Sequence, residues 1–172
     1  MENHEKHNEL ELLHKEAKRI EEDCIYSAKS HFNAEAVWKT WHYIIGIPAI
    51  LTAVIISSMI LKMYLAEGVI IIIGIIGAIL TSLLTFLKPY EKVNEHHNAG
   101  AEYLHLRTLV RQFRELEIAN FDYNKAVVKL KEFADKQREL NRLSAGIPSY
   151  AFKKAKNGIE SGESNYKVDK KG

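Results

Sequence analysis

Polar and apolar positions divide this 172-residue chain into sharply different stretches. Residues 8–42 are rich in charge and contain neither Gly nor Pro. Within them Leu10, Leu13, Ala17, Ile20, Cys24, Ser27, His31, Ala34, Trp38 and Trp41 recur at alternating spacings of three and four. That spacing is the a/d seam of a heptad and predicts one long helix packed along a partner. Leu10, Leu13 and Ile20 make the outer half of the seam apolar, whereas Ser27, His31 and Ala34 make the inner half narrower and more polar.

Two apolar runs follow, 43–61 and 69–87, and neither contains Asp, Glu, Lys or Arg. Roughly 19 residues at about 1.5 Å per residue reach about 28 Å, the hydrocarbon thickness of a bilayer. Residues 62–68 suffice for a short turn, so the pattern predicts a transmembrane hairpin. A soluble alternative would need two helices buried on every side, and a domain this small has too few layers for that. The first run begins behind a long charged helix, without a basic start or a small-residue cleavage site, which argues against a cleaved leader. Pro48, about one turn into the first run, removes a backbone hydrogen bond and crowds the Ile44 carbonyl. Pro48 and Pro89 are therefore the hinge candidates. Trp38 and Trp41 suit the bilayer interface, and Lys88 can close the second span while snorkelling, so these three are the expected anchors.

Beyond Pro89 the helical period resumes. A helix over about 90–117 is expected from Val93, His96, Ala99 or Gly100, Tyr103, Leu106, Val110, Phe113 and Leu116. Another over 123–143 is expected from Ala126, Val127, Leu130, Phe133, Leu140 and Leu143. Gly146 and Pro148 break the chain before a short helix at about 149–157. The Gly-, Ser- and Lys-rich stretch 158–172 is expected to be a disordered tail. The predicted fold class is an all-α membrane protein: a two-transmembrane helical hairpin continuous with a cytoplasmic bundle of three to four helices, residues 90–157 supplying most of the bundle.

Charge adds an orientation. Lys39, Lys88 and Lys92 flank the runs on the terminal side, while Lys62 is the lone basic residue between them. The positive-inside rule makes the terminal side cytoplasmic, for both termini. A net charge of +2 gives no reason to expect nucleic-acid binding. The segment before the runs is acidic, with six basic against nine acidic residues, and the segment after them is basic, with seventeen against twelve. Opposite signs make the two segments plausible packing partners. Their setting beside a bilayer lets the basic segment meet anionic lipid.

Candidate chemistry is sparse. The single cysteine, Cys24, excludes an internal disulfide and a cysteine zinc site, and its seam position predicts a packed thiol. His96, His97 and His105 form the densest histidine group, but neighbouring helical side chains diverge by about 100° and no metal-ligand spacing is met. Interhelical hydrogen bonding is the expected role of these residues, as it is for His31. No phosphate-cradling glycine loop or paired-carboxylate site is present, so neither an enzyme nor a cofactor is expected. The small residues are more informative. Gly74, Gly77, Ala78, Thr81, Ser82 and Thr85 recur on one side of the second run, and Gly46, Ala49, Thr52, Ala53 and Ser57 do so in the first. Such ridges let membrane helices approach closely. They either pack the hairpin together or face neighbouring subunits or a pore. Without charge in either span, a pore would be weakly selective and gated by dewetting.

The order of parts resembles a known family. A charged helix ending in Trp and His precedes two spans with a short turn and a Phe86-Leu87-Lys88-Pro89 exit. A helix bearing His97, Gly100, Ala101 and Tyr103 follows, and a later one ends in Leu143-Ser144-Ala145-Gly146-Ile147-Pro148-Ser149-Tyr150-Ala151. Over most of residues 8–157 this resembles the SLATT family, the SMODS and SLOG-associating two-transmembrane effector domains. The resemblance implies an effector of bacterial antiphage and conflict systems that assembles in the inner membrane and permeabilises it. It also implies a separate cytoplasmic sensor or nucleotide-signalling protein, since the 172 residues carry no attached cyclase or SLOG-type sensor. The leading expectation is a homo-oligomeric pore triggered from the bundle, causing abortive infection. The alternative is a non-conducting anchor whose seam (Leu10, Leu13, Ile20, Cys24, His31) recruits a soluble partner. A holin-like protein fits less well with so much ordered cytoplasmic mass.

Overall fold

A computed structural model describes residues 2–58 and 63–166, and these are helical throughout apart from short turns and links. The end of the first expected span (59–61), Lys62 and residues 167–172 lie outside the described residues. Among the described residues five α-helices succeed one another: α1 (Glu2–Ser57), α2 (Glu67–Leu87), α3 (Pro89–Gln112), α4 (Tyr123–Leu143) and α5 (Ser149–Glu160). A π-helical turn (Phe113–Glu117) and a 3-10 turn (Ile118–Asn120) join α3 to α4. The chain divides into two compact units, Met1–Ala34 with Glu95–Gly172, and Glu35–Asn94.

In the first unit the seam of α1 is buried at Leu13, Ala17, Ile20, Cys24, Ala28, His31 and Ala34. Its hydrophobic core joins Tyr103, Leu106 and Val110 of α3 with Ala126, Leu130, Phe133 and Leu140 of α4. One seam position differs from the heptad reading: Ala28 is buried where Ser27 was expected, and Ser27 is half-buried. At 3.6 residues per turn a strict 3-4 pattern drifts across a straight helix. Ser30 is buried as well, its hydroxyl donating to the Tyr26 carbonyl at 2.7 Å, so it needs no partner from another helix.

The π turn corrects a second expectation. Leu116 was expected in the core, but it is 72% exposed, and Ile118 takes the place at 2%. A π turn spends more residues per turn, so the inward position after Phe113 falls five residues on rather than three. Phe113 holds this corner together, its ring 5.5 Å from Phe121 and 5.7 Å from Phe133.

The expected disordered tail is also corrected for residues 158–166. α5 runs to Glu160, with Ala151, Ala155 and Gly158 buried, and turns follow it. Asn33 of α1 donates to the Ala151 carbonyl at 3.2 Å. Lys29 pairs with Glu163, and Tyr26 packs on Phe152 with ring centroids 6.1 Å apart. Composition alone hides this because the anchoring partners lie on α1, more than a hundred residues earlier.

In the second unit the C-terminal part of α1 runs antiparallel to α2, with Thr52 beside Gly77 and Ile56 beside Gly74. Both helices are long and apolar enough to cross a membrane. No residue of α2 is fully buried, and Ile44, Ile50, Val54, Ile71, Ile75 and Phe86 are among many large apolar side chains left exposed. Proteins dissolved in water rarely expose contiguous apolar surface on this scale. α1 continues through Pro48 without interruption.

Candidate functional site

The small residues of the apolar unit form two overlapping rows rather than one face. On α2, Gly74, Ala78 and Ser82 stand four residues apart, and so do Gly77, Thr81 and Thr85. The helix contact takes only the glycine end of these rows. A methyl at Gly77 would lie 2.6 Å from Thr52 Oγ1 and 3.1 Å from Thr52 Cβ, so the close approach needs glycine. A methyl at Gly74 would meet Ile56 Cδ1 at an ordinary 3.7 Å. On α1 the contact is made by half-buried Thr52 and Ile56, and Ile45 and Ala49 on the same side of the helix are buried.

Ala78, Thr81, Ser82 and Thr85 are exposed, as are Ala53 and Ser57 of α1. Gly46 has no neighbour within 4 Å of where a Cβ would stand. The sequence ridge spans roughly 140° of the α2 surface at 100° per residue, wider than one partner helix covers. Three of the hydroxyls in the two helices are satisfied within their own helix. Thr52 donates to the Ala49 carbonyl at 2.8 Å, Ser82 to Ala78 at 2.8 Å and Thr85 to Thr81 at 3.0 Å. The outward face is thus small, and the Ser82 and Thr85 hydroxyls on it are paired within α2.

The other expected positions flank this surface. Trp38 is half-buried and Trp41 is 51% exposed. Pro48 is exposed within α1, while Pro89 is fully buried and opens α3. Lys88 sits between α2 and α3 in the left-handed region, at φ 45° and ψ 51°. Its N–H donates to the Leu84 carbonyl at 3.0 Å, capping α2, and its ammonium pairs with Glu91 at 3.1 Å. The residue before a proline is disfavoured in the right-handed helical region, so a left-handed cap ends α2 and Pro89 starts α3 afresh. Lys88 is therefore the corner of the backbone as well as a charge near its end.

The first unit contains a buried polar cluster that the sequence did not reveal as such. His31 Nδ1 and His96 Nδ1 are 2.9 Å apart, so one ring donates and the other accepts. His31 also stacks on Tyr103, with centroids 5.6 Å apart and planes 17° apart. Tyr103 donates its hydroxyl to Asn141 Oδ1 at 2.6 Å. Burial, with His96 second, lowers the pKa of His31 from 6.5 to about 4. Burial likewise raises that of Tyr103, and burial together with Asp23 raises Cys24 to about 12. Tyr103 and the Cys24 thiol therefore stay neutral at physiological pH, as does His31. A thiol held protonated in this way is a poor nucleophile. His97 and His105 take no part: His97 meets the edge of Phe32 at 6.1 Å, and His105 is exposed. The signal available in sequence was that His31 and His96 both occupy inward positions of facing helices.

No protein-family model, no curated protein and no solved structure matches this chain.

Proposed function

We propose that this protein is a membrane effector of a bacterial antiphage or conflict system, homo-oligomerising in the inner membrane as a pore that depolarises the cell. The observation that carries this reading is the surplus of small residues. Ala78, Thr81, Ser82, Thr85, Ala53 and Ser57 remain exposed after α1 and α2 have made their own contact. Small residues four apart on a helix surface favour close packing with another helix in lipid, where van der Waals contact and weak hydrogen bonds replace the hydrophobic effect. An anchor alone has no use for a second packing face. The charge-free spans supply no selectivity ring, so the pore passes small ions with little discrimination and closes by dewetting. Both termini are cytoplasmic by the charge bias at the span ends. A trigger at the bundle, from a separate sensor or nucleotide-signalling protein, reaches the spans through the unbroken α1. The anchor reading rests on a free heptad seam, and Leu13, Ile20, Cys24 and His31 are instead buried within the chain.

Induced expression should depolarise cells and arrest growth, and purified protein should conduct in planar bilayers. Ala78→Leu or Ser82→Leu should abolish both while leaving membrane insertion intact. An undisturbed membrane potential at full membrane expression of the wild-type chain would sink the reading.

A further inference from the structure

The first unit also contains a cleft of about 300 Å³ bordered by Arg107, Arg111, Arg114, Glu21, Ser164 and Tyr166. The three arginines stand at i, i+4 and i+7, on α3 and its π turn. Arg114 is neutralised: its Nε donates to Glu21 Oε1 at 2.6 Å, and its Nη1 lies 2.5 Å from Glu115 Oε1. Arg107 and Arg111 differ. Among the described residues neither pairs with a carboxylate, and the Nε of each is buried without a hydrogen-bond partner. Both guanidinium groups lie over the ring of Tyr166, at 5.5 and 4.8 Å from its centroid.

Stacking occupies the face of a guanidinium and leaves the N–H donors around its edge unused. A buried, unpaired donor on a cation costs more than a neutral one, so packing on Tyr166 explains only half of this arrangement. Two adjacent cations with unused in-plane donors match one dianionic group with several acceptor oxygens, which is the chemistry of a phosphate monoester. A carboxylate would balance only one of the two charges. The polar side chains of Ser164 and Asn165 and the carboxylate of Glu115, which is paired with Arg114, complete the border, and the volume admits a phosphate or diphosphate head rather than a long chain.

We infer that Arg107, Arg111 and Tyr166 form a binding site for a soluble phosphate- or diphosphate-bearing small molecule. This site stands independently of the pore, since it is argued from the first unit alone.

The test uses full-length protein in nanodiscs of neutral lipid, with inorganic pyrophosphate as the probe and acetate at equal ionic strength as the monoanion control. Calorimetry should show saturable pyrophosphate binding and none of acetate. R107A/R111A should abolish binding, and R111K, which keeps the charge but loses the fork, should weaken it by about tenfold or more. Y166L should weaken binding while leaving α-helical content unchanged, which keeps the test valid if the double variant fails to fold. Absence of pyrophosphate binding, or equal binding by R111K and Y166L, would overturn the site. So would displacement of pyrophosphate by nanodiscs containing phosphatidic acid, which would assign the arginines to a lipid headgroup.

Discussion

Acidification should loosen the bundle through one buried ring. His31 is 1% exposed and faces His96 Nδ1 at 2.9 Å, with Tyr103 stacked on its other side. One proton lies between the two histidines. Adding a second at that contact would set two N–H groups head to head in a cavity that burial already makes hostile to charge. The folded pKa of about 4 lies below the unfolded value of 6.5. Below about pH 6.5 the unfolded chain therefore takes up a proton that the folded chain refuses. Stability is complete above that pH and falls as pH drops toward 4, where the loss levels off. From these two values the loss is about 2 kcal/mol by pH 5 and about 3 kcal/mol by pH 4. Hydrogen exchange of full-length protein in nanodiscs reads this directly, on peptides covering residues 24–34 and 96–106, after correction for intrinsic exchange rates. The opening free energy should fall by about 2 kcal/mol between pH 7.5 and 5. His31→Gln, which keeps a hydrogen bond toward His96, should be less stable at neutral pH yet show a flatter pH slope. An unchanged slope in that variant, or a flat wild-type profile, would refute the assignment to His31.

Three further outcomes follow from particular contacts. Gly77→Ala should weaken the pairing of α1 and α2 by about 1–3 kcal/mol, because Thr52 Oγ1 stands 2.6 Å from the new methyl and is tied to the Ala49 carbonyl. Adding Thr52→Ala should recover part of the loss, measured as a double-mutant cycle of unfolding in detergent. Lys88→Gly should stabilise the chain by about 1 kcal/mol by relieving the left-handed backbone, whereas Lys88→Val should destabilise it, both read as melting temperatures. Ile118→Ala should cost about 2–5 kcal/mol while Leu116→Ser stays near neutral, an order that an uninterrupted α-helix in place of the π turn would reverse.

The bundle helices were legible because α1, α3 and α4 each announce a buried face at a short period. Leu13, Ile20 and Cys24 mark α1, Tyr103, Leu106 and Val110 mark α3, and Leu130 and Phe133 mark α4. The α4 bounds, 123–143, could be read from its apolar period and the Gly146–Pro148 break. Where the backbone leaves α-helical geometry the period misleads, as at Leu116 and Ile118, because no local residue type signals a π turn.

Length, apolarity and the absence of charge in 43–61 and 69–87 are properties of the chain itself. They decide that two helices exist and that both can cross a membrane. Which small residues face inward is a different matter. Gly77 and Ala78 are neighbours in sequence and alike in size, yet one lies against Thr52 and the other is exposed. That division is set by the rotation of one helix against another, a long-range quantity that periodicity leaves free. The same holds for His31 beside His96, Glu163 beside Lys29, and Tyr166 beneath two arginines, each pairing residues at least about fifty positions apart. Short-range patterning thus determined the elements, and only their packing decided which side chains meet.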